Sequence, residues 1–193
     1  DWFLLLNVHD QLTASVPTKD KREAMEVLRV QMESVEFSLE EVLQAASDLV
    51  AERIDRKSLE LFIEVLPDVP DHLLGDPLRL GQIFNNLLGN AAKYAPAGTK
   101  ITLSAAPSAD LTSLRISVTD EGPGIPPEDL ERIFNRTYTV SSARTPGSAT
   151  GSGLGLAIVK TITERHGGTV SCENAPGAGS IFSVTLPAKF LQS

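Results

Sequence analysis

Two amide side chains four residues apart, Asn86 and Asn90 in QIFNNLLGNAAKYAP (residues 82–96), set the first chemically suggestive spacing in this chain. On a helix that spacing puts both amides on one face. Lys93 and Tyr94 follow within the next turn, so two amides, a cation and an aromatic ring border one cavity near the helix C-terminus. Such a set can ligate a metal ion, neutralise anionic oxygens and wall a flat ligand. The plain alternative for this segment is a core helix with two satisfied amides and a solvated lysine.

A second group follows in VTDEGPGIPPED (residues 118–129). Leu114, Ile116 and Val118 alternate with polar neighbours and read as a half-buried strand that ends at Asp120. Gly122 and Gly124 allow a sharp turn and a close approach of the backbone to something bulky, while Pro123, Pro126 and Pro127 hinder continuation of the strand. A carboxylate there can accept the exocyclic amine of adenine, although an ordinary Asp-Gly turn looks much the same. The third group is GSGLGLAIVKTITERHGG (residues 151–168), in which Gly151, Gly153 and Gly155 run into the apolar spacing Leu154, Ile158, Ile162 of a buried helix that stops at Gly167. Free backbone N–H groups and the positive dipole end at such a helix start attract phosphates. The pattern is neither the dinucleotide fingerprint nor a Walker loop. In combination, metal-ligating amides, an adenine-recognising carboxylate and a phosphate cradle describe an ATP site.

In the same order, and over roughly residues 37–187, these segments resemble the catalytic ATP-binding domain of sensor histidine kinases of two-component systems. QIFNNLLGNAAKY is similar to that family's N box, VTDEGPGI to its G1 box, ERIFNRTY to its F box, TGSGLGLAI to its G2 box and GAGSIFSVTLP to its terminal glycine-containing strand motif. The resemblance implies ATP and Mg²⁺ as cofactors, with Asn90 ligating the metal that bridges the phosphates and Asn86 positioning the phosphates or their bound water. It also implies that Lys93 contacts phosphate, that Tyr94 lies against the adenine and that Asp120 hydrogen-bonds its amino group. Gly122, Gly124 and Ile125 would shape the adenine pocket, and Gly151, Gly153, Leu154, Gly155 and Leu156 would close over the phosphates. Residues 135–152 would form the mobile ATP lid, whose Ser, Thr, Gly and Ala content leaves little to bury.

Two positions depart from the family pattern. Thr137 stands where the F box has a second aromatic, and Thr139 where an arginine commonly follows the tyrosine. Arg136 is then the cation near the lid that can approach the γ-phosphate, with a solvated surface arginine as the alternative. Related ATPases of the gyrase, mismatch-repair and chaperone branches share the pocket but carry a glutamate at the position of Asn86. A carboxylate can take a proton from attacking water and an amide cannot, so Asn86 favours phosphoryl transfer over hydrolysis. A superfamily ATPase, a serine kinase and a nucleotide-binding pseudokinase module remain the alternatives.

The acceptor of such a transfer must be sought before residue 37. DWFLLLNVHDQLTASV is apolar enough for a buried helix, Pro17 divides the segment, and TKDKREAMEVLRVQMESVE reads as a second helix capped by Thr18. Residues 1–36 are thus expected to form a short helical hairpin of the dimerisation and phosphoacceptor kind, and residues 37–193 the catalytic domain. Within the hairpin His9, Asp10 and Thr13 resemble the core of a phosphoacceptor box, His9 as acceptor and Asp10 as its carboxylate neighbour. Helices of about 15 to 18 residues span only about 22–27 Å, short for that role. His72, after a proline turn, reads as surface, and His166 beside Gly167 as the end of a helix.

The elements that must position the site are legible around it. Ser38 and Glu41 make a capping box for a helix to about residue 54 with Leu39, Val42, Leu43, Ala46 and Val50 as its core face. Asp76 caps, and Pro77 opens, the helix that carries Asn86, whose expected buried stripe is Leu78, Ile83, Leu87, Leu88 and Ala91. Strands are expected in SLELFIEV, KITLSAA, SLRISVT, GTVSCEN and SIFSVTL. The expected fold is an α/β two-layer sandwich of the Bergerat ATP-binding type, a mixed β-sheet with helices on one face. With 193 residues, of which 41% are hydrophobic, the chain can build one good core and a short appendage. A net charge of −8 argues against a nucleic-acid-binding surface and requires local Mg²⁺ and Lys93 to make an anionic nucleotide welcome. The single cysteine, Cys172, excludes an intramolecular disulfide and reads as a core side chain. No apolar run is long enough to span a membrane, so the expectation is a cytoplasmic setting, in a free protein or in the cytoplasmic part of a membrane sensor. A response regulator receiver domain and a second copy, joined through the hairpin of the parent protein, are the expected partners.

Overall fold

The computed structural model describes residues 3–8, 12–17, 35–108, 111–140, 153–187 and 189–190. The chain parts into two compact units, Asp1–Val35 and Glu36–Ser193. In the first, β1 (Phe3–Val8) pairs antiparallel with β2 (Leu12–Pro17), Phe3 opposite Pro17 and Val8 opposite Leu12. This corrects the helix expected over residues 1–16. An apolar run does not by itself separate helix from strand, and the β-branched Val8, Thr13 and Val16 favour extended pairing. The second expected helix lies mostly outside the described residues. Its last two, Val35 and Glu36, are strand, part of β3 (Val35–Ser38).

In the second unit α1 (Leu39–Lys57) starts at Ser38, whose hydroxyl accepts from the Glu41 N–H at 3.4 Å. Glu40 and Glu41 in its first turn and Arg56 and Lys57 in its last complement the helix dipole. Leu39, Leu43, Ala46 and Val50 are buried as expected, with Val42 partly buried beside them. α2 (Pro77–Tyr94) starts at Asp76, whose carboxylate accepts from Arg79 N–H at 3.0 Å. Its buried face is Leu80, Ile83, Phe84, Leu87, Leu88, Ala91 and Ala92. Leu78 was expected in that stripe and instead is 78% exposed. Five residues before Ile83, it lies about 140° round the helix from the stripe, and Leu80 and Phe84 occupy the core in its place.

The main sheet has the order β4 (Glu60–Val65), β6 (Lys100–Pro107), β7 (Ser113–Asp120), β9 (Ser180–Pro187), β8 (Thr169–Asn174). β4 and β6 are parallel and the other pairs antiparallel, which makes the sheet mixed. α2 packs on β6 and β7, α3 (Gly155–Arg165) packs on β8 and β9, and α1 packs on α2. Ile101, Leu103 and Ala105 of β6, Leu114, Ile116 and Val118 of β7, and Phe182 and Val184 of β9 face the helices. The opposite face carries residues such as Ser117 and Ser183, whose hydroxyls are 3.0 Å apart across the β7–β9 pair. The two-layer sandwich is therefore as expected. A smaller sheet of order β10 (Lys189–Phe190), β5 (His72–Gly75), β3 was not, because its strands are too short to show a period.

At the far end of the helical layer the Lys57 ammonium donates to the carbonyls of Lys93, at 2.6 Å, and Ala95, at 2.9 Å. These are orphan carbonyls of the α2 C-terminus, so α1 caps its neighbour through a cation. Desolvation by burial holds the Lys57 pKa below its ordinary value.

In urea unfolding, Leu87→Ala is expected to cost about 2–5 kcal/mol and Leu78→Ala less than about 0.5 kcal/mol. Equal costs would contradict the register of α2. Asp76→Ala should cost about 1 kcal/mol through loss of the cap.

Candidate functional site

β7 delivers Asp120 into the interior beside Ser180 of β9, its register partner. The carboxylate is 3% exposed. One oxygen accepts from the backbone N–H of Gly122 at 2.8 Å and the other from the Ser180 hydroxyl at 2.8 Å. An ionised carboxylate offers about four acceptor positions, so each oxygen keeps capacity for a further donor. Gly179 has φ 103, and a Cβ there would run into the carbonyl oxygen of Asp120. Only glycine lets the strand pass so close. Ser180 was not singled out in the sequence, because its role depends on a strand register that the residues around Asp120 do not reveal.

The turn after Asp120 meets the C-terminal end of α2, where a Cβ on Gly122 would lie 3.4 Å from the Tyr94 carbonyl oxygen. Lys93 and Tyr94 are close together there, with the Lys93 ammonium 3.1 Å from the Tyr94 hydroxyl and 4.7 Å from the ring centre. One turn earlier Asn90 is half-buried and makes no side-chain hydrogen bond among the described residues. Asn86 donates its amide nitrogen to the Gln82 carbonyl at 2.8 Å, and its oxygen is 2.9 Å from where a Cβ on Gly155 would sit. The start of α3 is therefore brought against the amide face of α2, and the turn after Asp120 against the C-terminal end of the same helix. Leu154, expected on the buried face of α3, is 40% exposed at its N-terminus. The helix buries Ala157, Val159, Ile162 and Thr163 instead, since Leu154 precedes the first helical turn.

Gly153 faces Thr137 across the base of the expected lid. Thr137 donates its N–H to the Gly153 carbonyl at 3.1 Å, and both residues have left-handed backbones, φ 60 and φ 65. Tyr138 donates its hydroxyl to Asp129 at 2.5 Å, and the Arg132 guanidinium lies 4.8 Å from its ring centre. The hydrogen bond to Asp129 raises the tyrosine pKa, with burial adding to it and Arg132 opposing. Arg136, Leu154, Arg79 and Gln82 border a groove of about 280 Å³ between α2 and α3. Arg136 is exposed. Ile125 and Leu156 are partly buried and pack against the core. His9, Asp10 and Gly151 lie outside the described residues.

Among the described residues no three His, Cys, Asp or Glu side chains gather as a metal site. His72 is exposed with Glu36 at 3.6 Å, and His166 ends α3 with its Nδ1 2.8 Å from the Ile162 carbonyl. Cys172 is partly buried against the core. Desolvation pushes its thiol pKa up to about 12, and the nearby carboxylates of Asp120 and Glu173 add to the shift. No described helix is long and apolar enough to cross a membrane.

A buried carboxylate at a strand end and a glycine-opened helix thus both lie against the amide-bearing helix of an α/β domain. Residues 75–189 match the family described as histidine kinase-, DNA gyrase B-, and HSP90-like ATPase. The sensor histidine kinase WalK of Bacillus subtilis (strain 168) is 41% identical over 128 residues, which are 66% of this chain and 21% of WalK. The structure of full-length ShkA in complex with AMPPNP aligns with a TM-score of 0.71 at 31% identity, over 83% of this chain and 32% of ShkA. A nucleotide-free form of the catalytic domain of histidine kinase ThkA aligns with a TM-score of 0.67 at 30% identity, over 80% of this chain and 97% of that domain. The chain belongs to the histidine kinase-, DNA gyrase B- and HSP90-like ATPase family, and carries the ATP-binding catalytic domain found in sensor histidine kinases. It spans only a part, 21%, of the length of WalK.

With its pKa near 12, Cys172 holds only about one part in ten thousand of thiolate at pH 8. Its reaction with a disulfide reagent is expected to be slow in the native protein and to accelerate by orders of magnitude in urea. Equal rates would contradict the burial.

Proposed function

We propose that this chain is the nucleotide half of a protein histidine kinase: it binds Mg-ATP and transfers the γ-phosphoryl group to a histidine in two-component signalling. The observation that carries the reading is the buried Asp120, held in place by Gly122 N–H and Ser180 Oγ with acceptor capacity left over. That is a site for an exocyclic amine, and adenine supplies one. Tyr94 and Lys93 border the same turn, and the N-terminus of α3 supplies the positive dipole end that favours phosphate.

The residues present fit a magnesium ion. Mg²⁺ holds several waters and takes one or two protein oxygens together with substrate phosphates, so a lone amide oxygen such as that of Asn90 suffices. When bound, the ion neutralises phosphate charge. Asn86, tied to Gln82 through its nitrogen, presents an amide where a hydrolase needs a base. In the transfer itself an imidazole lone pair forms the N–P bond as the β–γ bridging P–O bond breaks, and ADP leaves. The chain's contribution is to position and neutralise phosphates, with Lys93 and Arg136 as cations.

His9 and Asp10 lie outside the described residues, and the expected hairpin is short for a phosphoacceptor. In this reading the acceptor histidine sits on a helical hairpin beyond these residues, which also pairs two copies and meets a response regulator receiver domain. Its test uses Mg²⁺ and γ-labelled ATP with the chain alone, its His9→Ala variant and a histidine-bearing acceptor hairpin supplied in trans. Acid-labile, alkali-stable label is expected on the hairpin, with little free phosphate. Steady phosphate release without labelling would make the protein a hydrolase, and label lost with His9 would return the acceptor to this chain.

Asp120→Asn replaces an acceptor with a donor and should weaken ATP binding about tenfold or more while the domain stays folded. Unchanged affinity would remove the adenine assignment. Asn90→Ala is expected to weaken Mg-ATP more than metal-free ATP, and equal weakening of both would reject the metal-ligand role.

A further inference from the structure

The turn that follows Asp120 is held from a second side by a residue no sequence motif marks. Asn174, the last residue of β8, is 49 positions away in sequence from Ile125. Its side-chain oxygen accepts from the Ile125 N–H at 2.8 Å and its side-chain nitrogen donates to the Ile125 carbonyl at 2.8 Å. One amide thus satisfies both main-chain groups of one residue, as a neighbouring strand would. The fit is tight: a Cβ on Gly124, where φ is 74, would approach the Asn174 oxygen to 3.0 Å.

A surface asparagine of this kind is not required by the core, since Asn174 is exposed and β8 is already paired to β9 through Asn174 opposite Ser180. What it fixes is the exit of the 120–125 turn. Ser180, on the neighbouring strand and opposite Asn174 in register, fixes the entrance by holding Asp120. The two ends of one hairpin turn therefore grip the two ends of the turn that carries Asp120 and Gly122.

We infer that Asn174 is a positioning residue for the adenine end of the site, acting through the backbone of Ile125. The inference rests on the ATP reading of the cleft. Gly124, left-handed at φ 74, is the pliable link immediately before Ile125, and the clamp on Ile125 restricts it before the ligand arrives. Its loss costs the base contact and leaves the phosphate contacts of α2 and α3 untouched.

The test compares Asn174→Ala with Asn174→Asp, binding ATP and inorganic tripolyphosphate to each, and follows the exchange of the Ile125 amide proton in the unliganded proteins. Asp has the shape of Asn but, ionised, loses the donor and opposes the Ile125 carbonyl. Asn174→Ala, which loses two neutral hydrogen bonds, is expected to weaken ATP about fivefold to tenfold and to speed Ile125 exchange. Asn174→Asp, which keeps the acceptor and loses the donor, is expected to weaken ATP about threefold to fivefold, and both are expected to leave tripolyphosphate unchanged. A merely structural role would weaken both ligands together. That result, wild-type affinity in Asn174→Asp, or unchanged Ile125 exchange in Asn174→Ala would overturn the inference. Should the wild-type protein fail to bind ATP at all, the nucleotide reading itself falls, whereas ATP binding with indifferent variants removes only the role of Asn174.

Discussion

One buried charge organises this domain. Asp120 brings a carboxylate into an interior otherwise lined by Ile116, Val118 and Phe182, and burial of a charge is costly unless its oxygens are hydrogen-bonded. The chain meets that requirement twice over, from the next turn by Gly122 N–H and from the adjacent strand by Ser180 Oγ. Both partners demand close backbones: Gly122 brings its N–H within reach, and Gly179 lets β9 pass the carbonyl of Asp120. The two glycine-bearing motifs, far apart in sequence, are thus consequences of one electrostatic need. The same arrangement leaves each carboxylate oxygen with acceptor capacity to spare.

The helical layer obeys a second constraint, that α2 must serve the core and the cleft at once. Ile83, Phe84, Leu87 and Leu88 are fully buried, while Asn86 and Asn90 stand on the flank between core and solvent. Precise placement of the amides therefore comes from packing of the opposite face, because rotation of the helix would expose Leu87 or bury Asn86. Core burial fixes rotation, and the Lys57 ammonium on the Lys93 and Ala95 carbonyls secures the C-terminal end beside the turn that follows Asp120. The protein carries net negative charge, so positive charge is local: Lys93 lies in the last turn of α2, and Arg79 and Arg136 line the groove between α2 and α3.

What could be read in the sequence was local or periodic. The caps at Ser38 and Asp76, the alternation through Leu114, Ile116 and Val118, and the stop at His166 and Gly167 each rest on neighbours within a few residues, and the structure shows them. The helical pattern placed Ile83, Leu87, Leu88 and Ala91 correctly but admitted Leu78 because its hydrophobicity was counted ahead of its angle. The segment before Pro17 was read as helix on apolar content alone, which strand pairing also satisfies. Ser180 and Asn174 were invisible for a different reason: each acts across strands, and only the register of β7, β9 and β8 brings them to Asp120 and Ile125.

The lid base shows how a departure from the family pattern is absorbed. Thr137 occupies the place of an aromatic and adopts φ 60, a conformation β-branched residues rarely enter. Its backbone N–H is spent on the Gly153 carbonyl and its hydroxyl on the Arg136 carbonyl at 2.6 Å, so the strained turn is over-determined by polar bonds rather than by ring packing. Tyr138 then supplies the aromatic anchor one residue later, its hydroxyl on the buried Asp129 and its ring against Arg132. Because Gly153 has room for no Cβ against Thr137, the two ends of the lid meet as backbone on backbone. The spacing of the lid ends thus depends on one glycine and one strained threonine.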